Sequence, residues 1–445
     1  MRKLAAHHLL SASSFTSSVN GHCATEVLVI NKSTSNASMP ASRSAVRASV
    51  MSLWVIFGLA MGPAVALGLA RFAYALLLPA MREEFGWSFA DAGAMNTANA
   101  AGYLAGALVA APIGKKYGDK LVFASSLLLT ALAVGATGLT ANFTILLMLR
   151  LVAGITGALA FVAGAGLTSA AAAGGSKGHA PTLLGIYFSG AGIGIAVSAL
   201  AVPPMLATVG WRGGWLVLGA LSLMATVLGC IALRRLPALA YSHANTARGG
   251  WSPRFMARTL IAYALFGAGY IAYMTFIVAF MQAEQGFISA NVSVFWAILG
   301  LASVAAAFGW GPILGRLHGG WGGALTISVV SIGAAVPLLW SGPAGAYLSA
   351  ILFGSSFLAV IAAVTAFARR AAKPHAWTAA IAALTIAFGL GQCIGPLLSG
   401  ALADGSSGVR AGLWLSVGIL IVAAVVAAFQ HEPGPATAQQ KTMST

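Results

Sequence analysis

The sequence predicts an all-α membrane protein: twelve transmembrane helices arranged as two pseudo-symmetric six-helix bundles. Three observations carry this. The 445 residues are 59% hydrophobic and only 7% charged, far from the roughly 25% charged residues of a soluble domain. From residue 51 to about 430 the chain is a series of apolar runs, each long enough to cross roughly 30 Å of hydrocarbon as a helix. The second half also repeats features of the first at an interval of about 199 residues.

Residues 1–50 come first and differ from the rest, being rich in Ser, Ala and Asn, with one acid (Glu26), five Lys/Arg and no long apolar run. Such a segment buries too little surface to offset chain entropy and is expected to be a disordered extension, with Met39 or Met51 the expected working initiator. An N-terminal bundle is expected over 51–233, a cytoplasmic central loop over 234–256, a C-terminal bundle over 257–430 and a disordered tail over 431–445. The predicted spans are 53–81, 89–113, 121–140, 143–172, 181–205, 214–233, 257–282, 290–314, 322–340, 345–368, 376–403 and 410–430. Ser88 followed three residues later by Asp91 reads as a capping box opening the second helix.

The chain carries a net charge of +16, and its distribution over these spans decides what that charge means. With the amino terminus inside, nineteen Lys/Arg fall in inner segments and three, Arg82, Arg212 and Arg410, in outer ones. This asymmetry predicts a multi-pass membrane protein with both termini cytoplasmic. It accounts for the basic charge through the lipid bilayer and leaves nucleic acid no role. Cys23, Cys230 and Cys393 lie far apart and form no CxxC pair, so neither a disulfide framework nor a metal site is expected.

The repeat is legible residue by residue. Gly68 falls on Gly267, Arg71 on Tyr270, Tyr74 on Tyr273 and, with one residue of slip, Gly86 on Gly286. Gly154 falls on Gly354, Gly190 and Gly192 on Gly389 and Gly391, Arg212 on Arg410 within a residue, and Lys116 meets Arg316. Two halves of like orientation make a parallel repeat, with a site expected between them.

Several stretches resemble a known superfamily. "APIGKKYGDK" (111–120) resembles the motif that follows the second helix of major facilitator transporters, with Lys115 where the family's acid usually stands, and "GPILGRLHGG" (311–320) is its second-half echo. "RLVAGITG" (150–157) resembles the fourth-helix motif. Residues 68–108 resemble the opening of the YbfB/YjiJ-type branch, a Gly-x-x-Arg-Phe-Ala-Tyr block (Gly68 to Tyr74), Leu78-Pro79, then an Ala-Asn-x-x-Gly-Tyr-Leu block (Ala98 to Leu104). The resemblance implies the major facilitator fold, with helices 1 and 4 lining a central cavity.

Arg71 stands in one of the most apolar stretches, "GLARFAYALLLPAM" (68–81). An Arg at the bilayer centre costs roughly 2.5–3.5 kcal/mol even on the lenient insertion scale, so it should face protein or water and meet a partner. Arg150 lies at similar depth, about 12 Å against roughly 15 Å from the helix end at 1.5 Å per residue. No Asp, Glu or His lies mid-span. The two guanidinium groups are therefore expected to take a substrate anion such as a carboxylate; the alternative for either is a bond to backbone carbonyls or a packing role. Tyr74 is one turn from Arg71, and Tyr270 and Tyr273 occupy the matching positions, suggesting a hydrogen-bonding aromatic wall. Asn96, Asn99 and Tyr103 form one polar stripe on helix 2, and Gln392 interrupts the glycine-rich stretch "GLGQCIGPLLSG". The candidate substrate-binding residues are Arg71, Tyr74, Asn96, Asn99, Arg150, Tyr270, Tyr273 and Gln392.

An enzyme would need paired carboxylates, a His/Cys cluster or a nucleophile beside a base. No span supplies one, and His179, His243, His318 and His375 stand singly in loops. The expected function is a cofactor-free, monomeric secondary transporter moving a small organic solute, an organic anion or carboxylate, across the cytoplasmic membrane by alternating access. Efflux of amphipathic compounds or drugs, and a transporter-derived sensor, are the alternatives.

Overall fold

The computed structural model describes residues 53–173, 180–236 and 250–432. The expected extension (1–50) with its initiator, most of the central loop and nearly all of the tail lie outside the described residues. Within them all regular structure is helical, and twelve long helices follow in order: α1 Leu53–Phe85, α2 Phe89–Tyr117, α3 Asp119–Thr137, α4 Phe143–Ala173, α5 Ala180–Thr208, α6 Gly210–Arg235, α7 Ala257–Ala283, α8 Ser289–Gly309, α9 Trp321–Leu339, α10 Pro343–Ala371, α11 Trp377–Ala403 and α12 Gly408–Ala428. Eleven of them are long and apolar enough to cross a membrane; α2 is the exception. Asn96, Thr97 and Asn99 lower its hydropathy, and they stand where α2 meets other helices, with Asn96 and Asn99 buried.

Apolar side chains cover much of the outside, including Leu121 at 60% and Leu200 at 72% exposure, as a lipid-facing surface requires. The least exposed helices are α1 and α7, buried over most of their length. Among the first six, α1 packs on α5, α2 and α3 on α4, and α6 on α3 and α5. The second six repeat this: α7 on α11, α8 and α9 on α10, and α12 on α9 and α11. The halves meet through α2 with α11, α5 with α8 and α1 with α7; the repeat exchanges the first two pairs and maps the third onto itself.

The chain has the residues to build each copy. Gly86 ends α1 and Gly286 follows α7 at φ 63° and 66°, a left-handed conformation that costs glycine nothing. Glu84 then pairs with Arg212 at 2.7 Å, and Glu284 with Arg410 at 2.8 Å. Both pairs are partly exposed, so they mark the symmetry more than they stabilise it. Gly154 lets α4 approach α2: a Cβ there would lie 2.1 Å from the Asn99 carbonyl oxygen, and one at Gly354 2.5 Å from the Leu299 carbonyl oxygen. Gly154→Ala should therefore force the two helices apart and destabilise the fold by about 1–3 kcal/mol, seen as a lower thermal unfolding midpoint in detergent; an unchanged midpoint would contradict this packing.

α1 is not a uniform α-helix. Ala64–Phe72 winds as a π-helix, closed by the Ala73 N–H donating to the Gly68 carbonyl at 3.0 Å. Such widened turns are uncommon and concentrate at functional sites. Arg71 lies in this segment.

The end of the bundle where α1 turns into α2 is closed by a carboxylate. Ser88 and Asp91 form the capping box, while the Phe89 and Ala90 N–H groups donate to Asp404, at the end of α11, at 2.6 and 3.0 Å. The first free N–H groups of an N-half helix are thus satisfied from the other half, where a negative charge also suits the helix dipole. Asp404→Ala should loosen this end, because two charge-assisted bonds are lost. In a chain lacking Cys23 and Cys230, labelling of Cys393 by a membrane-impermeant maleimide should rise about tenfold; an unchanged rate would show that the closure does not depend on Asp404.

Candidate functional site

The site is assembled at the boundary between the halves. Arg71 is 1% exposed, and its Nη2 donates to Gln392 Oε1 at 2.8 Å. Gln392 Nε2 in turn donates to the Tyr270 hydroxyl at 2.7 Å, and the Arg71 guanidinium lies 5.6 Å from the centre of the Tyr103 ring. Four helices converge here, α1 and α2 from one half and α7 and α11 from the other. Arg71 Nε has no hydrogen-bond partner among the described residues.

The electrostatics are unusual. Every described Asp and Glu lies in the first or last turn of a helix or just beyond one, and the ion pairs they form involve Arg212, Arg370 and Arg410. The buried Arg71 therefore faces a neutral amide where a carboxylate would be expected. A primary amide offers one oxygen; a carboxylate offers two to the guanidinium fork, plus a charge.

The second guanidinium has a different setting. Arg150 is also 1% exposed, with Nη1 donating to the Ala70 carbonyl and Nε to the Met95 carbonyl, the latter at 3.4 Å. Its guanidinium lies 5.2 and 5.3 Å from the centres of the Tyr74 and Trp215 rings, beside the stack that the two rings form at 6.3 Å. Trp215 belongs to α6, which packs on α1, α3 and α5, so Arg150 is enclosed within the first six helices. Tyr74 joins it there and donates to the Ala92 carbonyl at 2.9 Å. The sequence puts Tyr74 on the face of Arg71; Arg71 lies in the last turn of the π segment, which winds more slowly than an α-helix, and the two side chains meet different partners.

The remaining candidates divide similarly. Asn96 Nδ2 donates to the Thr275 hydroxyl at 2.6 Å, linking α2 to α7, while Asn99 Nδ2 donates to the Arg150 carbonyl at 3.1 Å. The Oδ1 atoms of both are buried without a hydrogen-bond partner among the described residues. Tyr273 is turned into its own half, where its hydroxyl meets that of Ser349 at 2.5 Å and its ring stacks on Phe353 at 4.3 Å. The structure thus groups Arg71, Tyr270 and Gln392, places Asn96 on the same seam, and sets Arg150, Tyr74, Asn99 and Tyr273 inside the separate halves.

Sequence reasoning missed Phe388, Thr275 and Asp404. Phe388 stands one helical turn before Gln392, and its ring lies 5.5 Å from that of Tyr270 at 10°; the four-residue spacing was the signal that could have found it. Asp404 stands just past the end of the predicted span 376–403, and nothing local in the sequence ties it to α2.

Relatives agree with this architecture. The chain is 24% identical over 387 residues, 81% of its length and 89% of the relative's, to the probable sulfoacetate transporter SauU of Cupriavidus necator. It is 29% identical over 183 residues, 38% of this chain and 37% of the relative, to the 4-hydroxybenzoate transporter PcaK of Pseudomonas aeruginosa. Among solved structures it is similar to the nucleoside transporter NupG (TM-score 0.64, 14% identity, 84% of this chain and 98% of that one). It also resembles a bacterial homologue of the human lysosomal transporter Spinster (TM-score 0.61, 14% identity, 86% and 96%). At such identities these two speak for the fold alone. The family model described as "Uncharacterised MFS-type transporter YbfB" matches residues 63–428; with twelve helices in two repeated halves, the chain belongs to that family of major facilitator transporters and is a multi-pass membrane protein, not an enzyme.

Proposed function

We propose that this protein is a secondary transporter that moves a small organic anion, a carboxylate, across the bacterial inner membrane by alternating access of its two halves, with both termini cytoplasmic. One observation carries the reading: a fully buried guanidinium at the boundary between the halves has a neutral amide as its side-chain hydrogen-bond partner. A buried cation without a counter-charge is costly, and a substrate carboxylate that displaced the Gln392 amide would supply the charge. Arg71 anchors the anion, Gln392 and Tyr270 hold it from the other half, and Asn96 keeps α2 and α7 in register beside it. Arg150, with Tyr74 and Asn99, supports the first half from within.

The named cargoes of the two relatives, sulfoacetate, an aliphatic sulfonate-carboxylate, and 4-hydroxybenzoate, an aromatic monocarboxylate, both carry a carboxylate, which favours an anion over a neutral solute. The excess of basic residues in the segments assigned to the inside supports the orientation. No cofactor enters this mechanism, and one chain contains both halves of the site, so a monomer suffices. The test is uptake of radiolabelled benzoate and acetate by proteoliposomes, with glucose and adenosine as neutral controls. Saturable carboxylate uptake is expected; transport confined to the neutral solutes would overturn the reading.

A further inference from the structure

We infer that the site selects a flat aromatic monocarboxylate over aliphatic acids and over dianions, an inference that rests on the anion reading above and narrows it. Two features carry it: the number of fixed charges at the seam and the rings around them.

Charge comes first. Arg71 is the guanidinium at the boundary between the halves, where its partners come from α7 and α11 through Gln392 and Tyr270. Arg150 spends two of its nitrogens on backbone carbonyls of α1 and α2, and the rings of Tyr74 and Trp215 lie beside it inside the first half. Among the described residues Arg71 is the buried guanidinium hydrogen-bonded across the seam, whereas Arg150 has only Nη2 unpartnered, so one carboxylate is matched. A second negative charge on the same small molecule would be desolvated without a partner, which disfavours dianions.

Shape comes from the aromatic side chains. Tyr270, which bonds Gln392, is part of a run of near-parallel rings: 10° and 5.5 Å from Phe388, 17° and 5.0 Å from Phe266, 14° and 6.2 Å from Phe357. Tyr103 presents its ring to Arg71 from α2. Phe388 and Tyr103 belong to the helices that meet where a Cβ on Gly389 would lie 2.8 Å from Leu104 Cδ1; Tyr103 lies beside Arg71, and Phe388 stacks on the Tyr270 that bonds Gln392. Both are partly exposed, whereas Tyr270, Phe266 and Phe357 are buried. A carboxylate replacing the Gln392 oxygen on Arg71 would place the substituent it carries between these rings. A planar aromatic group then gains stacking that a puckered aliphatic ring of the same volume does not.

The experiment is calorimetric binding to the purified full-length protein in lipid nanodiscs, with four probes: benzoate, cyclohexanecarboxylate, acetate and phthalate. Benzoate should bind about fivefold to tenfold more tightly than cyclohexanecarboxylate, the range expected for one stacking contact. Acetate and phthalate should both be weaker than benzoate, phthalate by about tenfold or more. In Tyr103→Leu and Phe388→Leu the benzoate preference over cyclohexanecarboxylate should fall toward unity. Equal affinity for the two ring acids in the wild type, or tightest binding of phthalate, would overturn this inference and leave the anion reading standing. Failure of all four carboxylates to bind a protein that melts cooperatively would overturn both. The wild-type series needs no variant to fold, so it decides the matter even where a leucine substitution disturbs packing.

Discussion

Arg71→Gln should lower carboxylate affinity by about 100-fold or more and remove saturable uptake, while the protein folds as well as the wild type or better. The loss follows from replacing a charge-assisted, two-point contact by a neutral one, worth roughly 2.8 kcal/mol at this factor. The preserved stability follows from the same burial that makes the residue informative. At 1% exposure, with a neutral hydrogen-bond partner, the guanidinium costs the empty protein desolvation free energy that an amide does not. A structural Arg would behave in the opposite way, with its removal lowering stability first and affinity only as a consequence. Arg71→Lys should fall between, keeping the charge and losing the fork. Calorimetry on the three proteins, paired with their melting midpoints, checks the claim; a Gln variant that still bound benzoate at wild-type affinity would exclude Arg71 as the anchor.

Arg150→Ala should show the reverse pattern. Two bonds to the backbone of α1 and α2 disappear, and the space beside the stacked rings of Tyr74 and Trp215 empties. The expected destabilisation is about 3 kcal/mol or more, the size associated with removing a large buried side chain. Carboxylate affinity, measured below the lowered melting temperature, should remain within about threefold of wild type, since Arg150 touches none of the groups from the second half. A 100-fold loss of affinity at unchanged stability would return Arg150 to the binding site.

These opposite expectations arise where sequence reading reached its limit. The spans and the repeat were legible because apolar run length, glycine positions and the spacing of charges are one-dimensional quantities; some ends were not, since α1 and α2 run on to Phe85 and Tyr117 and α8 stops at Gly309. Gly86 and Gly286, or Arg212 and Arg410, declare themselves by interval alone. Direction around the helix axis was not legible, because it depends on winding and packing. The nine-residue π-helix that ends just after Arg71 shifts the side of α1 that carries Arg71 relative to the side that carries Tyr74, and no residue pattern announced it. Partners across the halves, such as Asp404 with Phe89 and Ala90 or Gln392 with Arg71, are more than 300 positions apart. Only the fold brings them together.

The amide at Gln392 bears on how the carrier resets. A transporter whose binding cation can be satisfied only by cargo is held open until another molecule arrives, and it then works as an obligate exchanger. Here the protein supplies a neutral substitute of its own, bonded to Arg71 and to Tyr270 at once, so the unloaded form can close and return. Vesicles preloaded with benzoate should accordingly leak it into buffer containing no counter-substrate, at a rate comparable to exchange, and Gln392→Leu should slow that unidirectional leak far more than it slows exchange.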